Sequence, residues 1–154
     1  MFESGTYVGQ HITPIDAGQL QPNGVDLTAA KLYTQTNAGR IGQDDKEIGD
    51  RDAIDPVDGT FRLEPGAYVV QYGETVHIPE GHVGFIYPRS SLMRNSCMLH
   101  TAVWDAGYEG KGEGLLEVHH DIEIEQGARI AQIVFAEADH EGTYDGSYEG
   151  ENVE

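Results

Sequence analysis

Pro88-Arg89-Ser90-Ser91-Leu92-Met93 sets one guanidinium and two hydroxyls where an apolar run, His82–Tyr87, gives way to a short helical start. The group suits a phosphate, because arginine can grip two phosphate oxygens at once and the first N–H groups of a helix are free to donate. Taken alone, it is equally an ordinary capped turn. Further on, Ala102-Val103-Trp104-Asp105-Ala106-Gly107-Tyr108-Glu109-Gly110 delivers a carboxylate at the end of an apolar strand, just ahead of a turn rich in glycine. Asp105 can orient a nucleophilic water from such a place. It can also simply bond its own backbone, as aspartates in turns do. The histidines form no metal set: His119 and His120, adjacent on a strand, point to opposite faces, so at most one could join a given site. Cys97 is the only cysteine, which excludes an internal disulfide and a two-thiol zinc site and suits a small buried hydrophobe.

The elements that must hold these residues are strands. Val, Ile, Tyr and Thr gather in short runs separated by Gly, Pro, Asn and Asp, the pattern of an all-β sandwich or barrel. The runs predict strands over Val25–Tyr33, Ala67–Tyr72, Thr75–Ile78, His82–Tyr87, Met98–Val103, Gly114–His119, Asp121–Glu125 and Arg129–Ala136, with Gly73-Glu74 as a tight turn. Asp121-Ile122-Glu123-Ile124-Glu125 alternates cleanly, so one face is wet and the other packed. One short helix is expected from about Ser90 to Asn95. Residues 39–59 read as a surface excursion pinned by Ile41, Ile48 and Ile54, with no chemistry of its own. The β domain is expected over residues 1–136. An acidic tail rich in Gly and Tyr follows over 137–154, mobile until something orders it.

Composition narrows the partners. The chain has 154 residues, one domain by length, and 27 acidic against 9 basic residues give a net charge of −18. A nucleic-acid partner is not expected, since this surface repels phosphates over a screening length of about 8 Å at physiological salt. In molar salt that length falls to about 3 Å, so acidic, lysine-poor composition reads as adaptation to a halophilic cytoplasm. No apolar run reaches the roughly 18 residues that a membrane helix requires, and the N-terminal residues do not form a leader. The expectation is a cytoplasmic protein with no membrane partner.

Five blocks, in order, give the residues a common meaning. They are Gly24-Val25-Asp26-Leu27, Arg89-Ser90-Ser91-Leu92, the hairpin Asp105, Tyr108 and Gly110, Gly127-Ala128-Arg129-Ile130-Ala131-Gln132, and Tyr144-Asp145-Gly146-Ser147-Tyr148. Over about Leu20 to Gly150 the chain thereby resembles the dUTPase and dCTP deaminase superfamily, especially its archaeal branch. The resemblance implies a distorted β-barrel or jelly-roll subunit, a homotrimer, active sites at subunit boundaries and a deoxypyrimidine triphosphate substrate. It implies that Arg89, Ser90, Ser91 and Gln132 hold phosphates, Asp105 positions the reacting water, Tyr108 packs on the deoxyribose and Tyr148 covers the base. Asp26 would help organise Mg²⁺ through water.

Two chemistries share this scaffold. The deaminases carry a Glu in the strand after the hairpin as their acid–base group, and Glu117 is the candidate, twelve positions after Asp105 rather than the family's ten. His100-Thr101-Ala102 also stands one residue closer to Asp105 than its deaminase counterpart. Spacing favours dUTP hydrolysis to dUMP and pyrophosphate. Deamination of dCTP and a bifunctional enzyme stay open, as does a nucleotide-binding regulator, although a regulator could dispense with Asp105.

Overall fold

The computed structural model describes residues 1–153 and is built almost wholly from antiparallel strands. Its main sheet runs His82–Pro88, Arg129–Glu137, Gly24–Gln35, Gly66–Tyr72, Glu113–Val118 and Cys97–His100, with Leu20–Gln21 and Arg51–Ala53 added along Gly24–Gln35. Its two edge strands are consecutive in the chain. The helix Ser90–Arg94 joins them, and a bridge between Gly84 and Trp104 draws the edges together, so the sheet nearly closes into a barrel. A smaller sheet of Ile12–Thr13, Thr75–His77 and Glu109–Gly110 and a ribbon of Ile122–Glu125 on Thr60–Leu63 complete the wall. Among the described residues no helix is long and apolar enough to cross a membrane.

Side-chain alternation decides what fills the interior. Val25, Leu27, Leu32, Val70, Tyr72, Leu116, Ile133 and Phe135 are fully buried, each on a strand whose opposite face is covered or wet as its period of two requires. Ile122 and Ile124 turn inward between exposed Glu123 and Glu125, as their alternation predicts. Cys97 is buried and free.

Several expectations are corrected. The strand expected over Met98–Val103 is Cys97–His100, because from Thr101 the chain leaves the ladder to carry Trp104 against Gly84. Gly73-Glu74 does not close a hairpin: Gly66–Tyr72 and Thr75–His77 belong to different sheets, and Glu74 turns inward there. A helix at Gly5–Gly9, capped by Ser4, was hidden by its terminal glycines and its β-branched valine. The excursion at residues 39–59 is an antiparallel arm pinned by one of its three isoleucines, since Ile54 packs against the core while Ile41 is 93% and Ile48 65% exposed. Hydrogen bonds between Asn37 and Asp50 also fasten its base. The tail lies against the barrel, through Tyr144 N to Ala106 O at 2.6 Å and Gly150 N to Glu109 O at 2.7 Å.

Candidate active site

Strand register builds the first half of the site. Asp26 lies opposite Gln132, and Gln132 opposite Tyr87, so a row of polar side chains crosses three strands. A bulge between Arg129 and Ala131 then breaks the period of two, and Arg129 swings to the same carboxylate that Gln132 reaches. Asp26 has no exposed surface. One oxygen accepts from Gln132 Nε2 at 3.3 Å; the other accepts from Gln21 Nε2 at 3.0 Å and Arg129 Nη1 at 3.3 Å and lies 3.4 Å from Arg89 Nε. Burying a carboxylate among strands is costly unless it is paired and hydrogen-bonded, and here both conditions are met.

Arg89 and Ser90, with Asp26, Gln132 and Gln21, line a cavity of about 350 Å³. Arg89 takes the extended conformation at the helix N-cap without a side-chain cap, which leaves the first-turn amides unclaimed by any cap. Ser91 is exposed on the first helical turn and does not line this cavity, unlike Ser90. Beneath the cluster sits a second buried carboxylate that the sequence did not reveal. Glu74 accepts from Thr28 N at 3.0 Å, Thr28 Oγ1 at 2.8 Å and Gln19 Nε2 at 2.9 Å, and Gln19 also donates to the Asp26 carbonyl at 2.9 Å. Burial pushes the Glu74 carboxyl above its ordinary range, against the pull of those hydrogen bonds.

The second half of the site is aromatic. Trp104 meets Tyr108 edge-on at 4.9 Å between centroids, and Tyr108 meets Tyr144 edge-on at 5.3 Å. Gly107, at φ +92°, makes the turn that returns the chain from Asp105 to Tyr108, a conformation that favours glycine. Gly112 lets the Trp104 ring come close against backbone, since a Cβ there would come within 2.2 Å of Trp104 Cη2. Asp105 is exposed on the wall of the resulting cavity of about 600 Å³, which Tyr108, Tyr148, Arg51, Glu113 and Glu151 also line.

Tyr108 departs from expectation. It is only 5% exposed, and its hydroxyl donates to Glu151 Oε1 at 2.8 Å, so the tail must shift before a sugar can reach the ring. Desolvation raises the Glu151 carboxyl above its ordinary value, and burial, with Glu151 beside it, holds the Tyr108 hydroxyl protonated.

Glu117 lies elsewhere. It projects outward from Glu113–Val118, 2.8 Å from His100 Nε2 on one oxygen and in contact with His119 Nε2 on the other. Those hydrogen bonds, His100 first, hold its carboxyl below the ordinary range. The carboxylate of this strand that enters the Asp105 cavity is Glu113, bound in two prongs by Arg51, with Arg51 Nη1 donating to Glu113 Oε1 at 2.9 Å. Residues 39–59, expected to carry no chemistry, thus contribute Arg51 to the candidate site. Its signal was faint: a basic residue in an acidic stretch, five residues after Lys46.

Within the chain the two groups do not meet: Asp26, Arg89, Ser90 and Gln132 line one cavity, and Asp105, Tyr108 and Tyr148 another. A larger open groove of about 720 Å³, lined by Ile54, Arg62, Tyr68 and Ile122, holds none of them, so chemistry and not size locates the site. Among the described residues no three His, Cys, Asp or Glu side chains converge as a metal cage. Asp26 does not fit its expected role toward Mg²⁺ either. Buried, with both oxygens engaged and two guanidinium groups beside it, it offers no face to a metal-bound water.

Residues 6–138 match the family described as dCTP deaminase-like. A protein named probable deoxyuridine 5'-triphosphate nucleotidohydrolase from Halobacterium salinarum is 58% identical over 160 residues, covering 100% of this chain and 97% of its own. Among solved structures, the 2'-deoxycytidine 5'-triphosphate deaminase of Agrobacterium tumefaciens superposes with a TM-score of 0.67 at 18% identity, over 89% of this chain. The chain spans 48% of that deaminase. A mutant dUTPase of phage phi11 of S. aureus, solved with a structural Mg(II) ion, gives a TM-score of 0.53 at 17% identity over 88% of this chain and 89% of its own. At such identities both structures speak for the fold alone. With most of its length inside the family's pattern and a relative at 58% identity along all of it, the chain belongs to the dCTP deaminase-like family.

Proposed function

We propose that the chain is a homotrimeric dUTP diphosphatase whose sites form where the Asp105 half of one subunit faces the Arg89 half of the next. Carrying this reading is the contrast between two carboxylates: Asp105 stands open on the cavity wall, while Glu117 is outside it between two imidazoles. A deaminase needs a strand carboxylate that gives and takes a proton at the base. Glu117 is held ionised away from the cavity, and Glu113, which does reach it, is clamped by Arg51. The name carried by the H. salinarum relative supports the same choice.

Electrostatics support the phosphate half. Arg89 and Arg129 against Asp26 leave one net positive charge at a single point of a protein of charge −18. A triphosphate is drawn there, with Arg89, Ser90 and Gln132 donating to its oxygens. Asp105 takes a proton from water as the water oxygen bonds the α-phosphorus; the bond to the bridging oxygen breaks, and pyrophosphate leaves dUMP. Tyr108 bounds the sugar once the tail has shifted, and the 137–154 segment with Tyr148 serves as a cover over the base. Magnesium would arrive on the triphosphate, keeping its waters, since the protein supplies no cage for it.

The test is product identification in molar salt with dUTP and dCTP offered separately. Pyrophosphate from dUTP is expected, lost by about 10²–10⁴ in turnover in Asp105→Asn with nucleotide affinity little changed, and retained in Glu117→Gln. Ammonia from dCTP that disappears in Glu117→Gln would overturn the hydrolase reading in favour of deamination.

A further inference from the structure

The arm between Thr36 and Asp50 does more than cover surface. It is an antiparallel ribbon in two pieces: Gln35 pairs with Arg51 at its root, and Arg40–Ile41 pairs with Lys46–Glu47 near its tip. Arg51 fixes the root, its guanidinium stacked 4.2 Å from the Tyr33 ring centroid while its prongs hold Glu113. From that base the arm leans over the C-terminal tail. Lys46 Nζ donates to Ser147 Oγ at 2.8 Å and sits 4.7 Å from the centroid of the Tyr148 ring. The contact continues inward, because Tyr148 N donates to the Tyr144 hydroxyl at 3.1 Å and Tyr144 packs edge-on against Tyr108.

We infer that Lys46 is a positioning residue, a latch through which the arm holds the tail over the Asp105 and Tyr108 cavity. The inference rests on reading that cavity as the nucleoside site. Composition points the same way. From Glu137 to Glu154 the tail carries seven acidic side chains and no Lys or Arg, so a permanent cation to hold it must come from elsewhere, and lysine occurs at only three positions in the chain. Lys46 is one of them. Its contact also suits high salt. Long-range attraction dies within about 3 Å at molar ionic strength, whereas an ammonium seated on a ring face and bonded to a hydroxyl acts at contact. Lys46 borders the same cavity, and the side chains it touches there are Tyr148 and Ser147, through which it acts on the tail.

Hydrogen exchange of the tail amides in the nucleotide-free protein tests the latch, with the Tyr144, Gly150 and Glu151 N–H groups as reporters. Lys46→Ala is expected to speed their exchange by about 2- to 5-fold, the loss of one exposed cation–π contact, while amides of the main sheet keep their rates. Lys46→Arg, which keeps the cation, is expected to restore them. The KM for dUTP should fall by a similar factor in Lys46→Ala with kcat unchanged, because the docked tail must leave Tyr108 before the sugar can bind and a weaker latch makes that step easier. Tail exchange unchanged in Lys46→Ala would overturn the latch. Faster exchange with an unchanged KM would uphold the latch and remove the reading of the cavity beneath it as the nucleoside site.

Discussion

Replacing Asp26 by asparagine removes one negative charge from the point where Arg89 and Arg129 converge, and leaves shape and volume nearly unaltered. The amide oxygen can keep the contacts with Gln21, Arg129 and Arg89, while the new N–H₂ faces Gln132, whose own amide can turn to accept. What is lost is charge assistance. Each contact keeps its charged guanidinium, so what goes is the Coulombic attraction of two partly exposed pairs, about 1 kcal/mol each and about 2 kcal/mol together. The cost of stranding a fully buried charge, about 3–5 kcal/mol, does not apply, because Arg89 and Arg129 keep 34% and 40% of their side-chain surface in water. For a domain of this size about 2 kcal/mol corresponds to a fall in Tm of roughly 4–8 °C. Asp26→Ala should fall further, since it also leaves Gln21 and Gln132 without their acceptor. Thermal unfolding in molar salt measures both. If Asp26→Asn melts within a degree of the wild type, or if alanine is no worse than asparagine, the carboxylate is not the keystone of this cluster.

The net charge of −18 predicts that stability depends on salt: screening lengthens from about 3 Å in molar salt to about 30 Å at 0.01 M, and Tm should fall across that range. An unchanged Tm would remove the argument for halophilic adaptation. Tail docking should depend on pH through Glu151, whose carboxyl desolvation raises above its ordinary 4.5 when docked. Its contribution is therefore complete below the undocked value and lost as pH rises through the docked one. Glu151→Gln, which keeps an acceptor for Tyr108, should raise the protection of the tail amides over their intrinsic exchange rates at neutral pH and remove the pH dependence of that protection; a variant with lower protection would refute the role assigned to the buried charge.

The barrel was legible because period-two alternation survives in almost every strand that matters. Ile122 and Ile124 inside, with Glu123 and Glu125 outside, need no tertiary information. Arg89, Ser90, Gln132 and Asp26 were legible as a group from the order of their blocks, and strand register brings those four together. What escaped was whatever broke the period or depended on distant chain. Arg129 joins Asp26 only because a bulge re-aims it, and Glu74 is buried because Thr28 and Gln19, far off in sequence, supply its donors. Arg51 reaches Glu113 across 62 positions, a pairing that no local pattern encodes. The tail read as mobile because its composition is polar and rich in glycine; its anchors are backbone hydrogen bonds to Ala106 and Glu109, invisible to composition.

Complementation between two inactive variants tests the shared dUTP site most directly. Asp105→Asn and Arg89→Ala each cripple a different half, and the halves line separate cavities within one subunit. Mixed one to one in a trimer that pairs halves across its boundaries, an Asp105 half from one variant meets an Arg89 half from the other at about a quarter of the sites. Pyrophosphate release from dUTP should therefore rise from near zero to roughly a quarter of the wild-type rate when the two are unfolded and refolded together. Activity that stays near zero in trimers shown to be mixed would mean that each subunit completes its own site, and the account given for Asp105 and Arg89 would fail.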